Sequence, residues 1–230
     1  YFGYESLLWP TADACLSPNV HEANLIRRSN PNSFVLPIRI FTDFELRSDK
    51  SLEASSTSDI INYIFIGGAG HSPNIAALRY AVTTILPGIK KRFNQQFKLH
   101  IVGSGWNDSE FSSWITFSPD CVIHGRVTDI ELSQIYSKCL FSLAPIQDGA
   151  GVKGKVIEAM HRGVVVLTTP FGAQGIPPGI LPRFSVDDEL YCYIGKIMAD
   201  SGFRRETIEK YKTFLAEYYS PSVYEDLFNM

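Results

Sequence analysis

The stretch "LFSLAPIQDGAGVKGKVIEAMHRGVVVLTT", residues 140–169, contains a complete strand–loop–helix–strand unit. Its ends, "LFSLAPI" and "VVVLTT", are the apolar runs typical of buried parallel strands. Between them, "KGKVIEAMHRG" predicts the connecting helix, and a glycine-rich loop leads into it. Because the first turn of a helix presents free N–H groups and positive dipole charge, this loop is suited to hold an anion.

The same alternation continues on the N-terminal side of this unit. Three further strands are predicted at "NYIFIG", "FKLHIVG" and "CVIHG". They alternate with helices at "HSPNIAALRYAVTTILPGIKKRF", "DSEFSSWITF" and "DIELSQIYSKC", with Ser72 and Asp129 as predicted caps. Repeated β-α units predict an α/β fold, a Rossmann-like doubly wound parallel sheet. Since "IGGAGHSPN" and "QDGAGVKGK" both follow strands, they should share one rim of the sheet.

The sequence predicts four segments. Residues 1–45 contain a strand–helix–strand pattern that reads as the tail of a separate domain. Residues 46–58 are polar and Ser-rich, which is typical of a linker. The Rossmann-like domain takes residues 59–203, and residues 204–230 form C-terminal helices. Their aromatic end, "FLAEYYSPSVYEDLF", is expected to pack against residues 1–45.

Composition excludes several classes of protein. The 230 residues are 45% hydrophobic with a net charge of −3, which gives no bulk attraction for nucleic acid. Four scattered cysteines favour free thiols, and hence a cytoplasmic location. We find no apolar run of about 20 residues and no signal peptide, so no transmembrane segment is expected. The missing initiator Met suggests a fragment.

Two familiar phosphate-binding motifs are only partly present. Gly149, Gly154 and Lys155 match a P-loop, but Val156 stands where a magnesium-binding hydroxyl is required, and no acidic residue ends a neighbouring strand. In "GGAGHSP", Pro73 replaces the third glycine of a dinucleotide fingerprint, and the next strand lacks a ribose-binding acid. Both readings are disfavoured.

Residues 59–203 resemble the C-terminal, donor-binding domain of a GT-B glycosyltransferase of the retaining family 4, or group 1, class. The resemblance is carried by "FIGGAGHSPN", "LHIVGSG", "VIHGRVTDIELSQIYSKC" and "FSLAPIQDGAGVKGKVIEAMHRGVVVLTTPFGAQGI", which stand in the family's order. The last stretch is similar to a subgroup with a G-A-G-x-K-x-K-x-x-E-A-M core. Residues 11–40 resemble the closing β-α-β of the acceptor-side domain.

The resemblance implies roles for the residues around the helix start. Glu158 matches the ribose-binding second Glu of an E-x7-E motif; an i,i+4 pair with Arg162 is the structural alternative. The first Glu is replaced by Ala150, which puts a carboxylate contact to the donor sugar in doubt. Backbone groups should line the diphosphate and sugar instead, at Gly149, Ala150, Gly151 and Val152.

Other implied contacts concern the diphosphate and the base. The loop after the first strand, with Gly67 and Gly68, lacks the family's Arg and Lys, so the catalytic cations become Lys153 and Lys155. Cations are disfavoured at a helix N-terminus, so two of them there favour a bound anion; the alternative is that both lysines are merely solvated on the first turn. Arg126 and Val127 match the base-contacting loop, although Arg126 could equally pair with Asp129 or Glu131. His124 reads as a structural histidine of its strand, and His71 is a weaker phosphate candidate.

The implied function is a retaining, hexosyltransferase-like transfer from a nucleotide-sugar to an unknown glycan, lipid-linked or small-molecule acceptor, as in polysaccharide biosynthesis. No Asp-x-Asp motif appears, so neither a metal nor another cofactor is expected. The alternative is a nucleotide-sugar-binding module that is inactive without an acceptor domain. A nucleotide-sugar epimerase ranks last, since no epimerase motif is evident. Peripheral membrane contact through a missing domain stays open.

Overall fold

A computed structural model of the chain describes most of its length. The described residues are 7–17, 20–37, 60–94, 96–115, 120–149, 151–185 and 187–219. Three sequence predictions therefore lie outside the described residues: the linker at 46–58, the backbone contact at Ala150 and a short helix after Pro221.

A small β-α-β unit stands at the N-terminal end. Strand β1 (Ala14–Ser17) pairs in parallel with β2 (Phe34–Pro37), and helix α1 (Val20–Ser29) connects them. Ala23 and Ile26 of the helix are buried against the strands in a cluster separate from the main core. The strand–helix–strand pattern predicted for this region is confirmed.

The main sheet has five parallel strands. They are β3 (Ile60–Ile66), β4 (Gln96–Val102), β5 (Cys121–Gly125), β6 (Phe141–Ala144) and β7 (Val165–Thr168). Their order across the sheet is β5-β4-β3-β6-β7, so the chain starts in the centre, builds one half, and then returns to build the other. This reversal between β3 and β6 confirms the Rossmann-like class.

Seven helices flank this sheet among the described residues. They are α2 (Ser72–Tyr80), α3 (Leu86–Phe93), α4 (Ser109–Ile115), α5 (Asp129–Lys138), α6 (Gly154–His161), α7 (Asp187–Ala199) and α8 (Ser201–Tyr219). A wide π turn at Ala81–Ile85 joins α2 to α3. Its cause is Pro87, which lacks an N–H and whose ring would clash with the carbonyl four residues earlier in a regular helix.

The predicted cap at Ser72 is wrong by one residue, and the cap predicted near Asp129 is confirmed. His71 is the last extended residue before α2, so Ser72 already lies inside the helix and its side chain caps nothing. Thr128 caps α5 through a capping box: its hydroxyl accepts from the Glu131 N–H, and the Glu131 carboxylate accepts from the Thr128 N–H at 2.8 Å. Asp129 is the first helical residue, where its negative charge suits the helix dipole.

The C-terminal helix packs against the main core. Tyr211, Phe214 and Leu215 of α8 belong to the main hydrophobic core, and α8 contacts β7, α6 and α7. The Tyr211 hydroxyl accepts a hydrogen bond from the Val166 N–H at 3.3 Å, which satisfies a backbone donor on the edge strand β7. The described part of this apolar face therefore covers the sheet edge. The predicted packing of the aromatic end against residues 1–45 stays a prediction, because most of that end lies outside the described residues.

A polar row runs from the central strand β3 across β4 to the edge strand β5. His100 Nε2 lies 3.1 Å from Asn62 Oδ1, and His100 Nδ1 lies 2.8 Å from His124 Nε2. Since the amide oxygen can only accept, His100 Nε2 donates to it and Nδ1 accepts from His124. Burial lowers the pKa of His100 to about 4, and the charges of His124, Lys98 and Lys138 act in the same direction. His124 is structural, as its position in the strand predicted.

This row makes folding sensitive to acid. Between pH 6.5 and about 4 the unfolded chain protonates His100 while the folded chain does not, so stability is complete above pH 6.5 and falls as pH drops. We expect His100→Gln to flatten the fall in unfolding free energy between pH 7 and pH 4.5, by at most about 3 kcal/mol. Urea denaturation at both pH values measures it. The exposed His71→Gln is the control; an equal effect there would contradict the assignment.

Candidate functional site

The two glycine-rich loops meet at the carboxyl edge of the sheet. One follows β3 and the other follows β6, and these strands are hydrogen-bonded neighbours. The loops are joined directly, because Lys155 Nζ donates to Asn74 Oδ1 at 2.5 Å. The prediction that both loops share one rim is confirmed. The N-termini of α2 and α6 consequently open onto the same place.

The loop after β3 is held rigidly from one side. The Gly67 carbonyl accepts from the buried indole of Trp106 at 2.7 Å, and the Ala69 N–H donates to the Ser104 carbonyl at 2.9 Å. Gly103, at the end of β4, lies so close that a Cβ there would stand 2.3 Å from the Gly67 oxygen. This loop is therefore fixed by the turn after β4, and its backbone can serve as a preformed wall.

The loop after β6 is organised by its own lysine. Lys153 Nζ donates to the carbonyls of Gly149 at 3.1 Å and Gly151 at 2.8 Å. Its ammonium also lies 5.3 Å from the ring centroid of Phe171. Burial is the main cause of the lowered pKa of Lys153, opposed by the charge of Asp148. Lys153 thus closes the loop on itself, at the N-cap position of α6.

Lys155 is the more exceptional of the two cations. Its half-buried ammonium forms no ion pair in the part of the chain that the structure describes; it contacts the neutral Asn74 amide and lies 5.5 Å from the Phe65 ring centroid. Burial lowers the pKa of Lys155 to about 8, with the positive charge of Lys153 as the second cause. An anion between the loops would raise this pKa again. The site is electrostatically incomplete as it stands.

Glu158 lies one turn further along α6. Its Oε1 is 3.9 Å from Arg162 Nη2, so the i,i+4 pair that the sequence offered as an alternative is present at the limit of ion pairing. Burial nevertheless raises the pKa of Glu158, against the opposing effect of Arg162. The charge of Asp129, at the start of α5, also raises it, which places Glu158 towards the loop that follows β5. Arg162 is shared, since it donates to Ser133 Oγ at 2.6 Å.

The loop after β5 lies on the same rim but at the edge of the sheet. Arg126 is exposed and has no ion pair with Asp129 or Glu131, because the Glu131 carboxylate is used by the capping box of α5. Val127 packs against the main core and fixes the base of the loop. The structure does not bring Arg126 into contact with either glycine-rich loop.

Several residues at this rim were missed by sequence reasoning. Asn74 and Phe171 contact the two lysines, and Trp106 and Ser104 hold the loop after β3. Asn74 could have been found, since it is a polar side chain in the first turn of the helix that follows a glycine-rich loop. Phe171 lies in the "TTPFGAQGI" loop after β7, and nothing in its sequence context indicates that it meets Lys153.

Two searches of the described residues found no candidates. No group of three or more His, Cys, Asp or Glu side chains in the described ranges is placed to hold a metal ion. Among the described helices, none is both long and apolar enough to cross a membrane. None of the four cysteines, all of which lie within the described residues, forms a disulfide bond.

Comparisons with known proteins agree with this architecture. The sequence model of the family described as "Glycosyl transferases group 1" matches residues 61–189, more than half of the chain. A curated relative, an uncharacterized 44.6 kDa protein in the cps region of Klebsiella pneumoniae, is 30% identical over 119 residues, which are 50% of this chain and 30% of the relative. The chain therefore spans less than a third of that protein's length.

Solved structures share the fold at low sequence identity. A variant of S. aureus TarM, in complex with fondaparinux, alpha-GlcNAc-glycerol and UDP, has a TM-score of 0.71 at 14% identity, over 98% of this chain and 45% of TarM. The pneumococcal O-GlcNAc transferase GtfA, in complex with UDP and GlcNAc, has a TM-score of 0.65 at 18% identity. The match covers 94% of this chain and 45% of GtfA. Anabaena HepE, in complex with UDP and glucose, has a TM-score of 0.67 at 14% identity. The match covers 98% of this chain and 66% of HepE.

The contact between Gly103 and Gly67 should be essential for the rim. In Gly103→Ala the new Cβ would stand 2.3 Å from the Gly67 oxygen, on a backbone with φ +141°, so the loop must move. We expect a loss of roughly 1–3 kcal/mol in unfolding free energy, measured by urea denaturation. Gly70→Ala is the matched control, because nothing lies within 4 Å of its added Cβ. Equal stability of the two variants would contradict the rigid-wall description.

Proposed function

Because the chain belongs to the group 1 glycosyl transferase family, we propose that residues 59–203 bind the nucleotide-sugar donor of a glycosyltransferase. The reaction is transfer of a sugar to an acceptor with retention at the anomeric carbon. The acceptor binds partly to residues beyond this chain, which spans only 45% of TarM and of GtfA. In this proposal the enzyme works in the cytoplasm and uses a nucleotide-sugar there as its donor substrate.

One observation carries the proposal: at the point where two glycine-rich loops meet, a half-buried ammonium has no ion pair among the described residues. Lys155 donates to the neutral amide oxygen of Asn74, and the charge of Lys153 lowers the pKa of Lys155 further. The N-terminus of α6 adds its dipole to these two charges. Such an arrangement is unfavourable when empty and favourable around a diphosphate.

The chemistry follows from where charge develops. Breaking the bond between the sugar and the diphosphate leaves negative charge on the phosphate oxygens. Cations and N–H groups already fixed at that position stabilise the transition state more than the ground state. In this proposal Lys155 binds the diphosphate directly. Lys153 shapes the loop through Gly149 and Gly151 and adds positive charge. The two lysines and the helix dipole compensate the negative charge of the diphosphate, so the donor binds without a metal.

The remaining donor contacts extend towards β5. Glu158 accepts hydrogen bonds from the ribose hydroxyls, and its half-buried position supports this, since such bonds would offset the burial that raises its pKa. Arg126 and Val127 contact the base. Gly67, Gly68, Gly149, Ala150, Gly151 and Val152 approach the diphosphate and sugar through their backbone. UDP is the first nucleotide to test, because it is bound in the TarM, GtfA and HepE structures.

Calorimetry with UDP and uridine tests the two main roles. Lys155→Met should weaken UDP by about 1.5–3 kcal/mol, roughly 10- to 150-fold in Kd, and leave uridine nearly unchanged. Glu158→Gln should weaken both ligands by a similar factor, because both contain the ribose.

Lys91→Met is the matched control. Lys91 is an exposed lysine in the last turn of α3, which leads into the amino end of β4 and so lies away from the rim that carries the glycine-rich loops. If Lys155→Met weakens uridine as much as UDP, or if Glu158→Gln changes neither ligand, the assignment of diphosphate and ribose fails.

Proton uptake provides a second test of Lys155. With a pKa of about 8, part of the population is neutral near pH 8.5, and a bound diphosphate must recharge it. We expect UDP binding to take up a fraction of a proton at pH 8.5 and much less at pH 6.5. Calorimetry in two buffers of different ionisation enthalpy measures this. Uptake that persists in Lys155→Met would contradict the assignment to Lys155.

A further inference from the structure

The first turn of α2 contributes a side chain that no part of the proposed function uses so far. Asn74 is the third residue of α2, and its amide is half-buried between the two glycine-rich loops. Its Nδ2 donates to the Gly68 carbonyl at 2.9 Å, while its Oδ1 accepts from Lys155 Nζ at 2.5 Å. One side chain thus ties the helix start, the first loop and the cation of the second loop together.

The orientation of this amide is determined by its partners. A carbonyl can only accept and an ammonium can only donate, so the NH₂ group must face Gly68 and the oxygen must face Lys155. The side chain also packs closely on Gly67, since a Cβ at Gly67 would stand only 2.6 Å from Asn74 Cγ. The amide oxygen is therefore a fixed acceptor at a fixed place.

We propose that Asn74 is a positioning residue that fixes the place of the Lys155 ammonium and keeps it charged but unneutralised until an anionic ligand arrives. This inference rests on the proposed function for the identity of that ligand, a nucleoside diphosphate. An amide is suited to the task for a simple reason. A carboxylate at position 74 would hold the lysine equally well but would neutralise it and repel phosphate. An apolar residue would leave the ammonium half-buried without an acceptor.

Other charges near this contact are few and act in known directions. Lys153, on the same loop, lowers the pKa of Lys155, and Asp148 acts on Lys153. From the side of α2, the nearest titratable residue along the chain is His71, at the N-cap. Sheet residue Phe65 presents an aromatic ring. A substitution at Asn74 should therefore change the pH midpoint of Lys155 directly.

The test measures the titration of Lys155 in the ligand-free chain. Competitive acetylation across pH 6–11, followed by mass spectrometry, gives its pH midpoint, with the exposed Lys91 as internal reference. Asn74→Asp should raise the midpoint of Lys155 by about 1–3 pH units, which is the usual effect of an adjacent opposite charge. Asn74→Leu should lower it, because the acceptor is lost. Asn107→Asp is the matched control: it adds the same charge to an exposed residue after β4 on the same rim and should leave the midpoint unchanged.

A second measurement needs no variant at position 74. In the unaltered chain, the ¹⁵N resonance of the Asn74 side-chain amide should titrate with the midpoint of Lys155, and Lys155→Met should abolish that titration. An amide signal that is flat across the range, or a Lys155 midpoint that is the same in Asn74→Asp and Asn107→Asp, would overturn the proposal.

UDP titrations on the same proteins test the role of Asn74 in ligand binding separately from its effect on the titration of Lys155. Asn74→Asp should weaken UDP at least tenfold while leaving uridine within about twofold, since the diphosphate meets a neutralised lysine. Equal UDP affinity in Asn74→Asp and in the unaltered chain would overturn Asn74's role in binding. Failure of the unaltered chain to bind UDP would overturn UDP as the ligand, whereas the acetylation result still decides whether Asn74 governs Lys155.

Discussion

The pairing of β3 with β6 is the contact on which the arrangement of this molecule depends. Tyr63 and Ile64 stand opposite Phe141 and Ser142, and the rings of Tyr63 and Phe141 stack with centroids 5.0 Å apart. This pairing is non-local, since the two strands are separated by the whole β4–α4–β5–α5 half of the domain. It places the two strand ends, and therefore the two glycine-rich loops, side by side. Every contact between Asn74 and Lys155 follows from it.

The rim shows how a fold can accept unfavourable electrostatics locally. A half-buried lysine next to a second lysine costs free energy, and the lowered pKa of Lys155 expresses that cost. The surrounding structure can support it because the wall opposite is rigid and well packed, with Trp106 almost fully buried beneath the first loop. Buried apolar contacts in the sheet provide the stability that offsets the cost of two neighbouring ammonium groups at the rim. Under the proposed function, an anion bound between the loops would remove that cost.

The C-terminal helix illustrates a second constraint, the protection of a sheet edge. Among the described residues, β7 is the last strand of the sheet and has only an isolated bridge, from Thr168 to Arg183, beyond β6. Its other backbone groups and its apolar face therefore need another partner. Helix α8 covers that edge with Tyr211, Phe214 and Leu215, and the tyrosine hydroxyl takes up one backbone N–H. The described aromatic residues of α8 therefore complete the core of the Rossmann-like domain. Sequence reasoning recognised that they needed cover, but periodicity identifies an apolar face without naming what it packs against.

The sequence alone determined the order and type of the elements, the parallel sheet and the rim that carries the glycine-rich loops. These follow from local physics: apolar strand runs, glycines between strand and helix, and the requirement that parallel strands end on one side. It also pointed to Lys153, Lys155 and Glu158 by chemical type. Tertiary structure decided what each of these side chains does. It set Lys155 against Asn74 from a helix 81 residues away in sequence, placed Phe171 against Lys153, and brought Ser133 to Arg162, the ion-pair partner of Glu158. Such contacts depend on how distant segments pack, and no local pattern of residues encodes that distance.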